Sequence, residues 1–249
     1  MTRGERKDPP ELVASAISLM RGHLSDGLSV ADLADHVGYS RYHFSRLFAE
    51  ATGLAPMEYL AALRFAEAKR LLMVTDEPVI DVCAEVGFSS LSTFSRRFRD
   101  AVGTAPAALR RLAVDIAEHP VSPFEVTDPS QPRVLVHLDL TAETLRMPRH
   151  TWIGWYPRPV PIGLPAAGML LAGGGPVRLP TCLHNPWLLA VSMLADADAL
   201  DQLAPSQPLV AVHRRPVTPA APPHQIVLRF APADPHNVPL LSALASLRN

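Results

Sequence analysis

Apolar side chains recur every three to four residues through the first half of the chain, the spacing that places them on one face of an α-helix. In the opening segment these positions are Leu12, Val13, Ala16, Ile17, Met20 and Leu24. Gly27 is expected to end that helix, because glycine is a common helix stop. Residues 30–37 predict a two-turn helix that ends at Gly38, and Ser40 then caps a third helix. The first half is therefore predicted to be all-α.

A long helix and a repeat complete this half. Pro56 begins an apolar stripe that continues to Thr75, after which the earlier pattern returns. VGYS at 37–40 matches VGFS at 86–89, FSRLF at 44–48 matches FSRRF at 94–98, and GLAP at 53–56 matches GTAP at 103–106. Each copy is a short helix, a turn at glycine and a second helix, which is the helix-turn-helix pattern. A helical solenoid is the alternative, but it needs at least about three stacked copies.

Alternation of apolar and polar residues replaces the helical spacing in the second half, where Val134, Val136 and Leu138 fall on one side of a predicted strand. The predicted strands cover residues 133–140, 151–156, 169–171, 176–179, 187–191, 209–213 and 225–230. The run AGGG at 172–175 indicates a hairpin between the third and fourth of them. Because βαβ spacing is absent, the pattern favours a small antiparallel sandwich, followed by a short closing helix at 239–247.

Proline marks the change from one pattern to the other. The chain has 249 residues and 26 prolines, of which five precede residue 120 and 21 lie from there onward. Proline breaks helix interiors, so the second half cannot be a helical bundle. We predict an all-α double helix-turn-helix domain at 1–115, a linker at 116–132, and a small, proline-rich, mainly antiparallel, sandwich-like β domain at 133–249.

Charge is balanced overall, with 23 lysines and arginines against 24 aspartates and glutamates. Residues 89–111 nonetheless hold five arginines and one aspartate, which suits phosphate binding. Two cysteines cannot build a disulfide framework or a cysteine-rich zinc module, and no metal site or cofactor is predicted. No apolar run reaches the roughly 18 residues of a membrane span, and the polar start does not fit a signal peptide, so a cytoplasmic protein with no membrane partner is expected.

Further runs accompany the repeat. They are SVADLA at 29–34, SRYHFSRLF at 40–48, TGLAP at 52–56 and LRFAEAKRLL at 63–72 in the first unit, and VGFSS at 86–90 and FSRRF at 94–98 in the second, which extends over 79–106. Because of the repeat and these runs, residues 28–111 resemble the AraC/XylS family of transcription regulators. The resemblance implies two helix-turn-helix units joined by a long helix, double-stranded DNA as the target and RNA polymerase as a partner. Two features depart from the family: Ala55 and Ala105 stand where a serine or threonine cap is common, and ALR at 108–110 lacks the usual tyrosine.

In each unit the exposed N-terminal residues of the second helix are expected to meet base edges. The matched family positions imply base reading by Tyr42, Ser45, Arg46, Ser92, Ser95 and Arg96. An arginine can present two N–H donors to guanine O6 and N7, and the alternative for Arg46 and Arg96 is a surface salt bridge. Phosphate contacts are predicted for Arg41, Arg97, Arg99, Arg110 and Arg111.

The second half is predicted to hold a small effector. Candidate pocket residues are Trp152, Trp155, Tyr156, Arg158 and Trp187. Aromatic side chains in a small sandwich also form the core or a dimer interface, and both alternatives stay open. Residues 168–191 resemble prealbumin-like sandwich domains. No nucleophile with a base, carboxylate pair or phosphate loop is recognisable, so an enzyme fused to a DNA-binding domain is the least favoured interpretation.

The sequence therefore predicts a sequence-specific transcription regulator that is not an enzyme. It is expected to read two successive major grooves of DNA, as a monomer or a homodimer. Its β half either senses a small effector or acts only as a dimerisation or protein-interaction module.

Overall fold

The computed structural model of the chain describes residues 8–118, 122–218, 225–234 and 236–248. Its helices are α1 (Pro9–Gly22), α2 (Val30–Val37), α3 (Arg41–Thr52), α4 (Pro56–Val74), α5 (Val79–Glu85), α6 (Leu91–Val102), α7 (Pro106–Glu118) and, in the second half, α8 (Ala199–Leu203). Part of the predicted linker, at 119–121, lies outside the described residues, as do 219–224 of the predicted β domain. None of the described helices is long and apolar enough to cross a membrane.

Serine caps begin three of the four helices of the helix-turn-helix units, whereas α5 follows Pro78 without a side-chain cap. The Ser29 hydroxyl accepts from the backbone N–H of Asp32, whose carboxylate accepts from the backbone N–H of Ser29, which is a capping box. Ser40 caps α3 and Ser90 caps α6 with a single bond each, in which the hydroxyl accepts a backbone N–H from the first turn. Gly38 closes α2 with a φ of 77°, where glycine avoids the strain that a side chain would add.

The long helix α4 begins at Pro56 and extends to within one residue of the predicted Thr75. The expected end of α1 at Gly27 is wrong, because the helix closes one turn earlier. The backbone N–H of His23 donates to the carbonyl of Met20, which ends α1 at Gly22. The helix therefore ends at Gly22, the earlier of the two glycines in this segment.

The second half forms two sheets. In the described part of the chain the strands are β1 (Phe124–Val126), β2 (Arg133–Asp139), β3 (Arg149–Tyr156), β4 (Ala167–Ala172), β5 (Val177–Pro180), β6 (Trp187–Leu194), β7 (Leu209–Val212), β8 (Gln225–Arg229) and β9 (Ala231–Pro232). The larger sheet has the order β1-β4-β3-β6-β7-β9 and its pairs are antiparallel. The smaller sheet has the order β5-β2-β8, with β2 and β8 parallel. The mainly antiparallel β fold is confirmed, and the parallel pair is an addition to it.

The hairpin predicted at 172–175 is wrong. Strand β4 before it pairs with β1 and β3, whereas β5 after it pairs with β2 in the other sheet. Gly173 and Gly175 have φ values of 81° and 155°, which let the chain pass from one sheet to the other. The closing helix predicted at 239–247 is limited to a 3₁₀ turn at Leu244–Arg248.

Strand β3 joins the two halves of the chain because successive residues of a strand face opposite sides. Ile153 and Trp155 belong to the apolar core between the sheets, together with Ile226. Trp152 belongs instead to an apolar cluster that includes Phe65 of α4. The larger sheet therefore has a sheet–sheet core on one side and a helix–sheet core on the other.

Candidate nucleic-acid interface and helix–sheet cavity

Two phenylalanine pairs seat the second helix of each unit on its core. Phe44 and Phe48 of α3 are buried, with ring centroids 5.5 Å apart, and Phe94 and Phe98 of α6 are buried with the same 5.5 Å separation. Residues at i and i+4 share a helix face, so these pairs turn one face inward and leave the opposite face outward. We call α3 and α6 the recognition helices.

The base-reading side chains predicted in α3 lie on its outward side. Tyr42 is 80% exposed, Arg46 is exposed and Ser45 is half-buried. Arg46 Nη1 lies 3.9 Å from Glu50 Oε1, and each of the two side chains keeps more than half of its surface open. Such exposed pairs contribute little, so the guanidinium stays available to a base edge.

The corresponding side chains of α6 occupy equivalent positions. Ser92 and Arg96 are exposed and Ser95 is half-buried. Ser92 Oγ lies 3.1 Å from the Oγ of the capping Ser90. Leu91, at the start of the helix, is 40% exposed. The structure therefore brings the predicted residues of each unit together in the first turns of its recognition helix.

Most of the predicted phosphate contacts are also at the surface. Arg41, Arg99 and Arg111 are exposed. Arg97 of α6 is exposed as well, and its guanidinium lies 5.8 Å from the ring centroid of Phe88, within cation–π distance. These four arginines leave their guanidinium groups accessible to an anion.

Arg110 is used differently. Its Nη2 donates to the carbonyls of Thr75 (3.2 Å) and Glu77 (2.7 Å). Its Nε donates to the carbonyl of Leu72 (3.1 Å), one of the last carbonyls of α4. A basic side chain that satisfies terminal carbonyls stabilises a helix end. Nε and Nη2 are therefore used at the end of α4, which competes with the predicted phosphate contact.

The N-terminal half of α4 is tied to the second half of the chain by a tyrosine. The hydroxyl of Tyr59 donates to the backbone carbonyls of His236 (2.8 Å) and Asn237 (3.0 Å). Burial raises the pKa of Tyr59 to about 12, because a phenolate in this environment would lose its hydration. The hydroxyl therefore stays protonated as a donor.

A buried lysine ties the C-terminal half of α4 in the same way. Lys69 has no exposed surface. Its Nζ donates to the carbonyls of Leu203 (2.6 Å) and Leu241 (2.8 Å), and more weakly to that of Leu240 (3.2 Å). Burial lowers the pKa of Lys69 to about 7, since desolvation disfavours the ammonium. Both tethers run from α4 to backbone of the β half.

The β3–β4 loop (residues 157–166) reaches both recognition helices. Val160 lies against Gly53, which closes α3, at 3.2 Å from where a Cβ on that glycine would stand. Leu164 lies against Gly103, which closes α6, and its side chain occupies the space that a Cβ there would need. One loop of the β half thus packs on the C-terminal ends of both recognition helices.

A cavity of about 840 Å³ lies between α4 and the larger sheet, and we call it the helix–sheet cavity. Trp152 and Tyr156, two of the predicted effector residues, line it. Its wall also includes Arg21, Leu24, Leu63, Ala66, Glu67 and Arg70 from the helices, Pro159, Val160 and Pro161 from the β3–β4 loop, and residues of β6, β7 and the segments 200–208, 233–234 and 237–240. Both halves of the chain therefore build this cavity.

The other three predicted effector residues do not belong to the described wall of that cavity. Trp155 is in the sheet–sheet core, where its Nε1 donates to the carbonyl of Pro180 (2.8 Å). Arg158 Nη2 lies 2.6 Å from Glu58 Oε1, beside a smaller cavity of about 460 Å³. Trp187 is half-buried in β6. Successive residues of a strand face opposite sides, so Trp155 points into the sheet–sheet core while its neighbour Tyr156 lines the helix–sheet cavity.

Sequence reasoning missed the helical wall of the cavity and the lysine behind it. Leu63 and Ala66 are part of the apolar stripe of α4, which shows that they are buried without showing against what. Lys69 follows Ala66 by three residues and so continues the same stripe. The position of Lys69 on an apolar stripe was the sequence signal that could have revealed a buried cation.

Comparisons with known proteins agree on the helical half. A family model described as a helix-turn-helix domain matches residues 33–112. The HTH-type transcriptional activator AarP of Providencia stuartii is 31% identical over 99 residues, which are 40% of this chain and 73% of the activator. The Right origin-binding protein of Escherichia coli is 32% identical over 104 residues, 42% of this chain and 36% of that protein. The chain thus spans about three quarters of the first relative and little more than a third of the second.

Similar solved structures also cover the helical half. The DNA-binding domain of AdpA, a global transcriptional factor in complex with a target DNA, is 34% identical, with 47% of this chain and 100% of that chain covered and a TM-score of 0.40. A transcriptional regulator with an AraC-type DNA-binding domain from Chromobacterium violaceum is 32% identical, with 41% and 91% covered and a TM-score of 0.40.

Two recognition helices, each seated on a phenylalanine pair and joined through one long helix, define a DNA-binding helix-turn-helix protein. The matched residues extend over both units. The chain belongs to the AraC family of transcription regulators, which confirms the family indicated by its repeat.

Proposed function

We propose that this regulator reads one asymmetric site in double-stranded DNA by placing α3 and α6 in two successive major grooves. Equivalent exposed side chains on two equivalent phenylalanine-anchored helices support the proposal. The helices are joined by the 19 residues of α4, which extend over about 28 Å at the helical rise. Successive major grooves on one face of the duplex are about 34 Å apart, a comparable distance.

The proposal gives each exposed side chain a role. Base reading is assigned to Tyr42, Ser45 and Arg46 in α3 and to Ser92, Ser95 and Arg96 in α6. Phosphate contacts are assigned to Arg41, Arg97, Arg99 and Arg111, and Arg110 is left to cap α4. Phosphate contacts fix the register of a protein on the duplex, whereas base contacts carry the sequence information.

Selection of bound fragments from random double-stranded DNA tests the proposal, with the full chain as bait. We expect one enriched motif with two parts about one helical turn apart. Arg46→Ala and Arg96→Ala should each lose about 1–3 kcal/mol of binding free energy and relax the preference at one base pair. Arg178→Ala, which removes an exposed arginine of β5, is the matched control and should bind like the unchanged chain.

The phosphate role predicts a different outcome. Arg99→Ala should weaken binding to all sequences equally and reduce the salt dependence of the binding constant by about one released counterion. A uniform loss for Arg46→Ala would make Arg46 a phosphate contact instead. Failure to enrich any motif, or a footprint of a single groove, would contradict the two-groove proposal.

Effector sensing by the β half is the second proposed function, and the helix–sheet cavity supports it. The alternative is a β half that serves only for dimerisation or protein contacts. Light scattering and thermal melting, with and without a metabolite extract, separate the two. A ligand-dependent melting shift favours the sensor, and a dimer indifferent to the extract favours the interaction module. We also propose that the regulator acts in the cytoplasm with RNA polymerase as a partner. It is proposed to have no catalytic activity.

A further inference from the structure

The helix–sheet cavity has the size and the walls of a small-molecule site. Its volume of about 840 Å³ falls in the range of about 300–1,000 Å³ that ligand pockets occupy. We propose that it binds a small, uncharged, mostly apolar molecule that carries a hydrogen-bond-accepting oxygen. This proposal deepens the effector role given above and rests on it, since it assigns the site and the chemical class of the ligand.

The charged side chains of the described wall already have partners. They are Glu67 with Arg70 (2.6 Å), Asp234 with His236 (3.0 Å), Asp201 with the backbone N–H of Ser206 (3.1 Å) and Arg21 with the hydroxyl of Tyr59. Lys69, behind the wall, is held by carbonyls. Arg21, Arg70 and Asp234 are moreover exposed, so these charges are screened by water. A charged ligand in the apolar part of the cavity would lose its hydration without a counter-charge beside it, which is unfavourable. An uncharged ligand fits the apolar remainder, which includes Leu63, Ala66 and Val191.

One buried donor on the sheet side, the indole N–H of Trp152, calls for an acceptor. Trp152 is 1% exposed, and its Nε1–H has no acceptor in hydrogen-bond geometry among the described residues. Its interaction with the hydroxyl of Tyr156 falls outside hydrogen-bond geometry. That hydroxyl in turn reaches Ser242 Oγ only at 3.5 Å. A buried donor without a partner is costly, so a ligand oxygen that accepts from it would be bound favourably.

Ligand in this cavity would contact the segments that connect the β half to the DNA-binding helices. Leu240 lines the cavity and accepts from Lys69 of α4. Val160 lines the cavity and packs on Gly53 at the end of α3. Because the same residues meet the cavity and the DNA-binding helices, we expect occupancy to change the affinity for DNA.

Nile red, an uncharged apolar dye with a carbonyl group, serves as the probe on the full chain. We expect saturable binding with increased emission. Ala66→Trp, which fills the cavity from α4, should weaken binding by about tenfold or more. Ala117→Trp, at an exposed position of α7, is the matched control and should bind normally. Ser206→Trp, at an exposed position of the wall, is a second filling variant if Ala66→Trp fails to fold. No saturable binding, or equal binding by folded filling variants, would overturn the site.

Displacement of Nile red by four compounds on one ring system tests the chemical class. The expected order is 1-acetonaphthone first, naphthalene second, and the charged 1-naphthoate and 1-naphthylmethylamine last. Trp152→Phe, which removes the donor but keeps an aromatic ring, should reduce the advantage of the ketone over naphthalene. Preference for either charged compound, or a ketone advantage that Trp152→Phe and Tyr156→Phe both leave intact, would overturn the class.

DNA binding without any ligand keeps the two proposals apart. If the unchanged chain binds its selected DNA but not the dye, this inference fails and the DNA-reading proposal stands. If it binds the dye but no specific DNA, the DNA-reading proposal fails and this inference stands. Saturating 1-acetonaphthone should change the DNA Kd by about fivefold or more in the unchanged chain and not in Ala66→Trp. An unchanged Kd would overturn the connection to DNA binding.

Discussion

Lys69→Met removes a cation from the contact between the two halves of the chain. The ammonium has no exposed surface and donates to backbone carbonyls of Leu203, Leu240 and Leu241. Burial lowers its pKa from an ordinary 10.5 to about 7. Methionine keeps the length and much of the packing of the lysine stem, so the substitution chiefly removes the titrating group.

The sign of the pH effect follows from that pKa. Between about pH 7 and pH 10.5 the unfolded chain holds a proton on Lys69 that the folded chain has released. The free energy of unfolding therefore rises with pH in this window, by about 1.4 kcal/mol per pH unit and about 5 kcal/mol in all. Below about pH 7 both states carry the proton, so the slope ends there and the cost of burying the charge is fully present.

Urea unfolding followed by circular dichroism measures this effect at three pH values from about 7.5 to about 9.5. The unfolding free energy of the unchanged chain should gain about 1.4 kcal/mol per pH unit relative to Lys69→Met. Arg70→Met, at the next position of α4, removes a charge that does not titrate in this window and should run parallel to the unchanged chain. A constant difference between the unchanged chain and Lys69→Met would refute the reasoning.

The remaining predictions concern the ends of helices. Arg110→Met should lower the unfolding free energy by about 1–3 kcal/mol because it leaves carbonyls at the end of α4 without a donor; weaker DNA binding at unchanged stability would restore its phosphate role. Gly103→Ala should cost about 1–3 kcal/mol, since its φ is 94° and its Cβ would collide with Leu164. Gly173→Ala, with a similar φ of 81° but open space, should cost less in the same denaturation assay, and equal losses would show that the collision with Leu164 is relieved.

Local chemistry explains what could be predicted of the helical half. The glycine at 38, the serine at 40 and the proline at 56 act within one turn of their own positions, so the helices begin and end there as expected. The end of α1 was misplaced because the segment has two glycines, and the helix ends at Gly22 rather than before Gly27. The repeat then located the recognition helices, since two copies of one pattern constrain each other.

Strand positions in the second half were also visible in the sequence, but strand pairing was not. The run at 172–175 has the composition of a hairpin turn, yet β4 and β5 pair in different sheets. Pairing depends on contacts between residues far apart in the chain, and β2 finds a parallel partner in β8 about ninety residues later. Alternation alone cannot select among such partners.

The sequence by itself determined the helix-turn-helix repeat, the family and the exposed positions that we propose face DNA, because each depends on local periodicity and short motifs. Only the tertiary structure decided that Arg110 caps α4, that Lys69 is buried, and that Trp152 and Trp155 serve different cores. Periodicity shows that a side chain is turned inward, whereas its partner is set by packing between distant segments. The helix–sheet cavity, built from both halves, exists only at that level.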